Sequence, residues 1–156
     1  ERGEIDDATY FAHLRDQLDL PLDDATLLQG WNAIFIGPVP GMPALVASLA
    51  ERMPLHVFSN TSDAHQRYFS VAYADLLRPF RTVSCSHRLG QRKPTREAFD
   101  AVLDRIGLPA DRVAFFDDLD DNVAGARAAG LQAFRARSVQ DVEAALAERL
   151  ELPGPR

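Results

Sequence analysis

Six consecutive residues, Val113-Ala114-Phe115-Phe116-Asp117-Asp118, constrain this chain more than any other stretch: four apolar side chains end abruptly in two carboxylates. An apolar run this short predicts a buried strand, and in parallel sheets such strands lack the alternation of half-exposed ones. Leu119-Asp120-Asp121 extends the acidic tip, Asn122 opens a helical pattern, and Gly130 stands where a C′ glycine would close it. In an open α/β sheet, ligands sit outside the carboxyl ends of the strands. Two aspartates there raise the pKa of at least one of them unless a cation neutralises the pair, and a hard ion such as Mg²⁺ suits oxygen ligands. The same residues also read as a solvated acidic turn that caps the following helix, and the stretch by itself does not separate the two.

The rest of the chain places this strand in a series. Asp6 or Asp7 and Asp23 or Asp24 can each cap a helix. Phe11, Leu14 and Leu18 line the first helix, and Leu27, Leu28, Trp31, Ile34 and Phe35 the second. The breaker cluster Gly37-Pro38-Val39-Pro40-Gly41 ends this helical part, so residues 1–37 are expected to form one subdomain and 38–156 another. Beyond a helix over Met42–Met53, strand and helix alternate. Strands are expected at Leu55–Phe58, Thr82–Ser86, Arg112–Phe116 and Gln132–Arg135. Helices are expected from Asp63 to Leu77, along Phe99–Ile106, after Asn122, and after a capping box of Ser138 and Asp141 that leads to Val142, Leu146 and Leu150. The tail from Leu152 is expected to fray. Alternating elements of this kind predict a mostly parallel, doubly wound α/β sheet.

Composition narrows the functions. A net charge of −6 and a pI near 5.1 argue against nucleic acid or an anionic membrane as the main partner. The single cysteine, Cys85, can form no internal disulfide and is expected to be a small buried hydrophobe. No apolar run approaches membrane-spanning length and no secretory pattern opens the chain, so a cytoplasmic location is expected. The four histidines show no ligand spacing and read as structural or exposed.

Three strand ends carry groups suited to one chemistry. The first leads into Ser59-Asn60-Thr61, whose hydroxyls, amide and backbone N–H groups next to a helix start suit a phosphate, or make a plain N-cap. The second leads into Lys93-Pro94, a point charge able to reach over the sheet edge, or a surface lysine. The third is Asp117-Asp118. The order of hydroxyl, lysine and acidic pair, each behind its own strand, is more informative than any one of them.

That order resembles the haloacid dehalogenase (HAD) superfamily of phosphohydrolases. Phe58-Ser59-Asn60-Thr61 is similar to its second motif, Lys93-Pro94 to its third, and Phe115-Phe116-Asp117-Asp118 with Asn122 and Gly125-Ala126 to its fourth. Residues 1–37 resemble part of the helical cap of the sugar-phosphate phosphatase branch, which includes α-D-glucose-1-phosphate phosphatases. The resemblance implies a Rossmann-like core and an Mg²⁺-dependent phosphomonoesterase acting on a small phosphorylated metabolite, a sugar phosphate above all. It implies that Ser59, with Asn60 and Thr61, binds the phosphoryl group and that Lys93 offsets charge on it. Asp118 would ligate Mg²⁺, Asp117 would hold Lys93 as an ion pair, and Asn122 would support them from behind. A two-component receiver domain uses similar groups, but in the reverse chain order.

One part of the pattern is missing. The superfamily's first motif, Asp-x-Asp on the central strand, supplies the nucleophile and the general acid/base, and nothing before Ile5 can supply it. Asp6-Asp7 and Asp23-Asp24 follow no apolar strand. The expectation is therefore a truncated or partly observed phosphatase, inactive as it stands, whose sheet lacks its middle strand and shows a gap between the Phe58 and Phe116 strands. A partner strand or a second copy in a homodimer would fill that position. The alternatives are a non-catalytic phosphate or Mg²⁺ binder and a 2-haloacid dehalogenase, the latter disfavoured because that activity needs no metal.

Overall fold

The structure, a computed structural model, describes residues 1–149. Helices α1 (Asp7–Leu18) and α2 (Asp24–Asn32) start on Asp6 and Asp23, the first member of each aspartate pair. The Asp6 carboxylate accepts from Thr9 N at 2.7 Å and that of Asp23 from Thr26 N at 2.8 Å, satisfying donors that an open helix end would leave bare. Phe11 and Leu27 are buried with Tyr10, Leu14, Leu28 and Trp31 around them, and this cluster closes on Ala64 of a later helix. Three residues depart from the expected stripes. Leu18 is exposed, Ile34 lies beyond the end of α2 and is exposed too, and Phe35 also lies beyond that end.

From there the chain runs α3 (Met42–Ala50), β1 (Leu55–Ser59), α4 (Asp63–Ala72), α5 (Ala74–Leu77), β2 (Phe80–Cys85), α6 (Ser86–Leu89), α7 (Arg96–Ile106), a 3-10 turn (Ala110–Arg112), β3 (Ala114–Asp117), α8 (Asp120–Ala128), β4 (Gln132–Arg135) and α9 (Val139–Arg149). The helix expected from Asp63 to Leu77 is broken at Tyr73, whose backbone leaves the helical region and whose hydroxyl donates to Phe35 O at 3.3 Å. Tertiary packing on Phe35 overrides a pattern that reads as continuous. The short α6 opens on Ser86, which the sequence placed at the end of a strand, and continues through residues 87–89, to which it assigned no element. Elsewhere the local signals hold. Gly107 closes α7 with a φ of 72°. Gly130, at φ 94°, closes α8 as a Schellman motif, with Gly130 N on Arg127 O and Leu131 N on Ala126 O. Ser138 and Asp141 bond reciprocally, as a capping box requires. Leu150 and the tail from Leu152 lie outside the described residues.

The strands form two parallel pairs, β1 with β2 and β3 with β4. The open edges of β1 and β3 border a cavity of about 1170 Å³, lined among others by Leu45, Leu55, Phe58, Phe115, Phe116 and Val142. The sheet is thus split where the sequence led us to expect a gap. Helices cover both faces. Phe115 points to Phe99, Val123 and Ala126 of α7 and α8, while the next residue, Phe116, packs with Leu45, Val142 and Leu146 of α3 and α9. This alternation is the two-residue period of a strand buried on both sides. Cys85 ends β2, 1% exposed, and burial pushes its thiol pKa up.

Phe99 ties the two halves together. Its ring meets Phe58 edge-on at 5.7 Å and Phe115 at 5.4 Å, one from each pair of strands. Phe99→Ala is therefore expected to cost about 3–5 kcal/mol, read as a lower urea midpoint. A loss below about 1 kcal/mol would mean that the halves are held together by something else.

Candidate functional site

The carboxyl ends of β1 and β3 and the loop after α6 meet at Lys93. Its ammonium donates to Phe58 O at 2.9 Å and to Asp117 Oδ2 at 2.7 Å, so one cation joins the ends of the two half-sheets. It also stands 5.1 Å from the centre of the Phe58 ring and 5.5 Å from that of Phe115, where a ring face attracts positive charge. The Lys93 and Asp117 side chains are 8% and 7% exposed, so the pair is desolvated and depends on being complete.

Asp117 is fully engaged. Oδ2 takes the lysine, and Oδ1 accepts from Asn122 Nδ2 at 2.9 Å and Leu119 N at 3.0 Å. Burial is the largest single influence on its carboxyl and pushes its pKa up. The hydrogen bonds from Lys93, Asn122 and Leu119, with the lysine's charge, outweigh it and hold the group below the ordinary carboxylate range. Asp117 thus meets Lys93 directly, and Asn122 meets Asp117 from the other side. Asp118 differs from its neighbour. It is exposed, borders the cavity, and has no hydrogen bond or ion pair among the described residues.

The first strand end departs from expectation. Ser59 is half-buried and its hydroxyl has no partner among the described residues, so it is free to donate. The Asn60 side chain and the Thr61 backbone are not. The Asn60 carboxamide donates to Lys93 O at 3.0 Å and accepts from Lys93 N at 2.9 Å. Thr61 is buried, its N–H donates to Ser86 Oγ at 2.9 Å, and Ser86 Oγ donates back to Thr61 O at 3.2 Å. These bonds take up the amide and the backbone N–H that the sequence assigned to phosphate. Ser86 went unnoticed in the sequence because a lone serine at a strand end carries no signal. The lysine loop has a second restraint that did carry one. A Cβ at Gly125 would stand 2.3 Å from Pro94 O, and a glycine inside a helix, which costs about 1 kcal/mol against alanine, marks a close approach of this kind. Lys93-Pro94 itself is a cis peptide.

Other aromatic and basic side chains find partners of their own. Trp31 packs on Tyr10 and Phe11 and stacks on His65, whose Nε2 lies 2.9 Å from Trp31 O. His56 pairs with Thr82 at 2.8 Å, and Arg92 with Glu1 at 3.3 Å.

The donor set can be tested against Mg²⁺. That ion keeps several waters and is commonly held by one or two carboxylates together with phosphate oxygens. Asp118 supplies one free carboxylate, and no cluster of three or more His, Cys, Asp or Glu suited to a metal exists among the described residues. The residues present therefore fit an ion that takes one ligand here and the rest from water, phosphate and one further group.

A profile of haloacid dehalogenase-like hydrolases matches residues 4–130. The chain belongs to that family. It is 32% identical over 123 residues to Phosphatase MT3486 of Mycobacterium tuberculosis, an alignment covering 77% of this chain and 52% of that protein. It thus spans about half the length of the curated relative it matches. Among solved structures, a HAD family enzyme of Bacteroides thetaiotaomicron, in complex with magnesium and inorganic phosphate, superposes with a TM-score of 0.80 at 22% identity, covering 90% of this chain and 74% of that one. A HAD-like family hydrolase of Porphyromonas gingivalis gives 0.83 at 19% identity, covering 98% and 77%. These likenesses establish the fold, a Rossmann-like α/β core. No helix among the described residues is long and apolar enough to cross a membrane.

Asp117, with its lowered pKa, stabilises the fold above its unfolded-state value of about 3.9, and that contribution disappears as pH falls through the lower folded value. At neutral pH, Asp117→Asn is expected to cost about 3 kcal/mol, since it leaves a buried ammonium unpaired. The difference from the parent should shrink as pH falls below about 4, where the unfolded parent takes up a proton that the folded carboxylate still excludes. Urea midpoints measured from pH 7 to pH 3 test this, and a gap constant across that range would refute the assignment.

Proposed function

We propose that this chain is the core and part of the cap of an Mg²⁺-dependent phosphomonoesterase acting on a small phosphorylated metabolite, with sugar phosphates the favoured class. The observation that carries the reading is the contrast between two adjacent aspartates. Asp117 is consumed by Lys93, Asn122 and Leu119, whereas Asp118 is exposed and free at the same strand end. A site of this build holds one cation in place and keeps one carboxylate for another. Phosphoryl transfer asks mainly for that, positioning and charge stabilisation with little covalent chemistry.

In this reading Ser59 Oγ donates to a phosphoryl oxygen, and the Lys93 ammonium offsets charge on the same group. Asp117 and Asn122 keep the lysine in register, and Asp118 binds the metal. When bound, Mg²⁺ supplies Lewis-acid polarisation of a phosphoryl oxygen and a template for the leaving group. Residues 1–37 serve as the part of the cap that faces substrate.

The attacking carboxylate is the remaining requirement. Asp117 is engaged and Asp118 is assigned to the metal. The open edges of β1 and β3 flank an apolar cavity, and a parallel strand entering there would pair with both. We assign the nucleophile to such a strand, with its carboxylate emerging beside Ser59 and Lys93. The alternative, a phosphate or Mg²⁺ binder without turnover, is favoured by the same open edges if no strand occupies them.

The test is release of inorganic phosphate from a panel of sugar phosphates, with and without Mg²⁺, by the chain alone and with an added apolar peptide ending in Asp-x-Asp. Turnover that needs both peptide and Mg²⁺ is expected, and Asp118→Asn should lower its rate on the order of 100-fold. Equal rates in that variant would remove Asp118 from the metal site. Binding of phosphate with no turnover under any condition would favour the non-catalytic reading.

A further inference from the structure

We propose that Asn60 is a positioning residue: its carboxamide sets the place of Lys93 through the lysine's backbone and serves the phosphoryl group only by way of that lysine. The inference rests on the reading of Lys93 as the cation that meets phosphate, and it assigns Asn60 a different task from the direct contact its sequence position suggests.

The geometry is a closed ring. Asn60 Nδ2 donates to Lys93 O and Asn60 Oδ1 accepts from Lys93 N, at 3.0 and 2.9 Å. Both polar atoms of one planar side chain thus bond the two backbone groups of a single residue. A carboxamide held at both ends has one orientation, and the residue it holds loses its freedom to rise or tilt. Asparagine fits because it offers a donor and an acceptor in one plane. Aspartate would set a second acceptor against Lys93 O, and serine would reach one group only.

The opposite flank of the loop is closed as well. Gly125 of α8 admits Pro94 O to a distance that no Cβ would tolerate, so the Lys93-Pro94 turn is pressed between the end of β1 and α8. A lysine side chain has much rotamer freedom to lose, and its four-carbon stem amplifies any movement at the root. Lys93 must reach Phe58 O and Asp117 Oδ2 together, which requires that its root not move. Asn60 follows Ser59 directly. The clamp therefore also sets the Ser59 hydroxyl and the Lys93 ammonium relative to each other, although they come from segments 34 residues apart in the chain.

Two readouts separate this role from a direct phosphate contact. Amide hydrogen exchange at Lys93, followed by NMR on the chain without phosphate, reads the clamp alone. Titration with inorganic phosphate in the presence of Mg²⁺ reads the site. In Asn60→Ala the Lys93 amide should exchange about tenfold faster than in the parent, the worth of roughly one net hydrogen bond, with the Val57 amide in β1 unchanged, and phosphate should bind more weakly. Asn60→Asp keeps the acceptor for Lys93 N and should give intermediate exchange. It also carries the test if the alanine variant does not fold. Weaker phosphate binding with Lys93 exchange at the parent's rate in both variants would overturn the proposal and make Asn60 a direct ligand. If phosphate fails to bind the parent chain, the phosphohydrolase reading falls, and the exchange rates still decide whether the clamp exists.

Discussion

The interaction on which the rest depends is the Lys93 ammonium held between the Phe58 carbonyl and the Asp117 carboxylate. A lysine is seldom buried without a partner, because its charge must be matched once water is removed. Here the match comes from two directions. A carbonyl at the end of one parallel pair and a carboxylate at the end of the other converge on the same nitrogen. Among the described residues the two half-sheets share no strand ladder, so this polar contact and the Phe99 ring beneath it set how their carboxyl ends face each other.

Around that contact the chain assigns its polar groups so that few are left free. Asn122 and the Leu119 amide hold Asp117, Asn60 holds the backbone of Lys93, and Ser86 holds Thr61. Among the described residues, the Ser59 and Thr61 hydroxyls and the Asp118 carboxylate stay without a partner. A preorganised site has this character, since groups that must not move are bonded and groups that meet a ligand are not. The helical part sits apart from this network. It rests on α4 through Ala64 and the Trp31–His65 stack, an aromatic contact that leaves the strand ends to the core.

Much of the fold was legible because its signals are local. Gly107 and Gly130 stop helices at positive φ, Ser138 with Asp141 starts one, and Phe115 and Phe116 announce a strand buried on both faces. Illegible were the elements settled by contacts distant in the chain. The break at Tyr73 answers to Phe35, and α6 is defined by its junction with β2 and by Ser86 reaching Thr61. At the site, the pairing of Asp117 with Lys93 and Asn122 could be anticipated from motif order. The fates of Asn60 and Thr61 could not, because an amide beside a helix start suits a phosphate and a neighbouring backbone equally well.

The sequence by itself determined the residue types, their order along the chain and the periodicities that make them strands and helices. It thereby determined the α/β class, the family and the set of groups available at the strand ends. Only the tertiary structure decided which of those groups are free. Two adjacent aspartates are chemically identical in the chain, yet one faces a buried ammonium and the other faces an open cavity. The reason is that hydrogen-bonding capacity is finite and directional. Whether a donor or acceptor remains for a ligand depends on which distant segment reaches it first, and strand pairing and helix packing settle that in three dimensions.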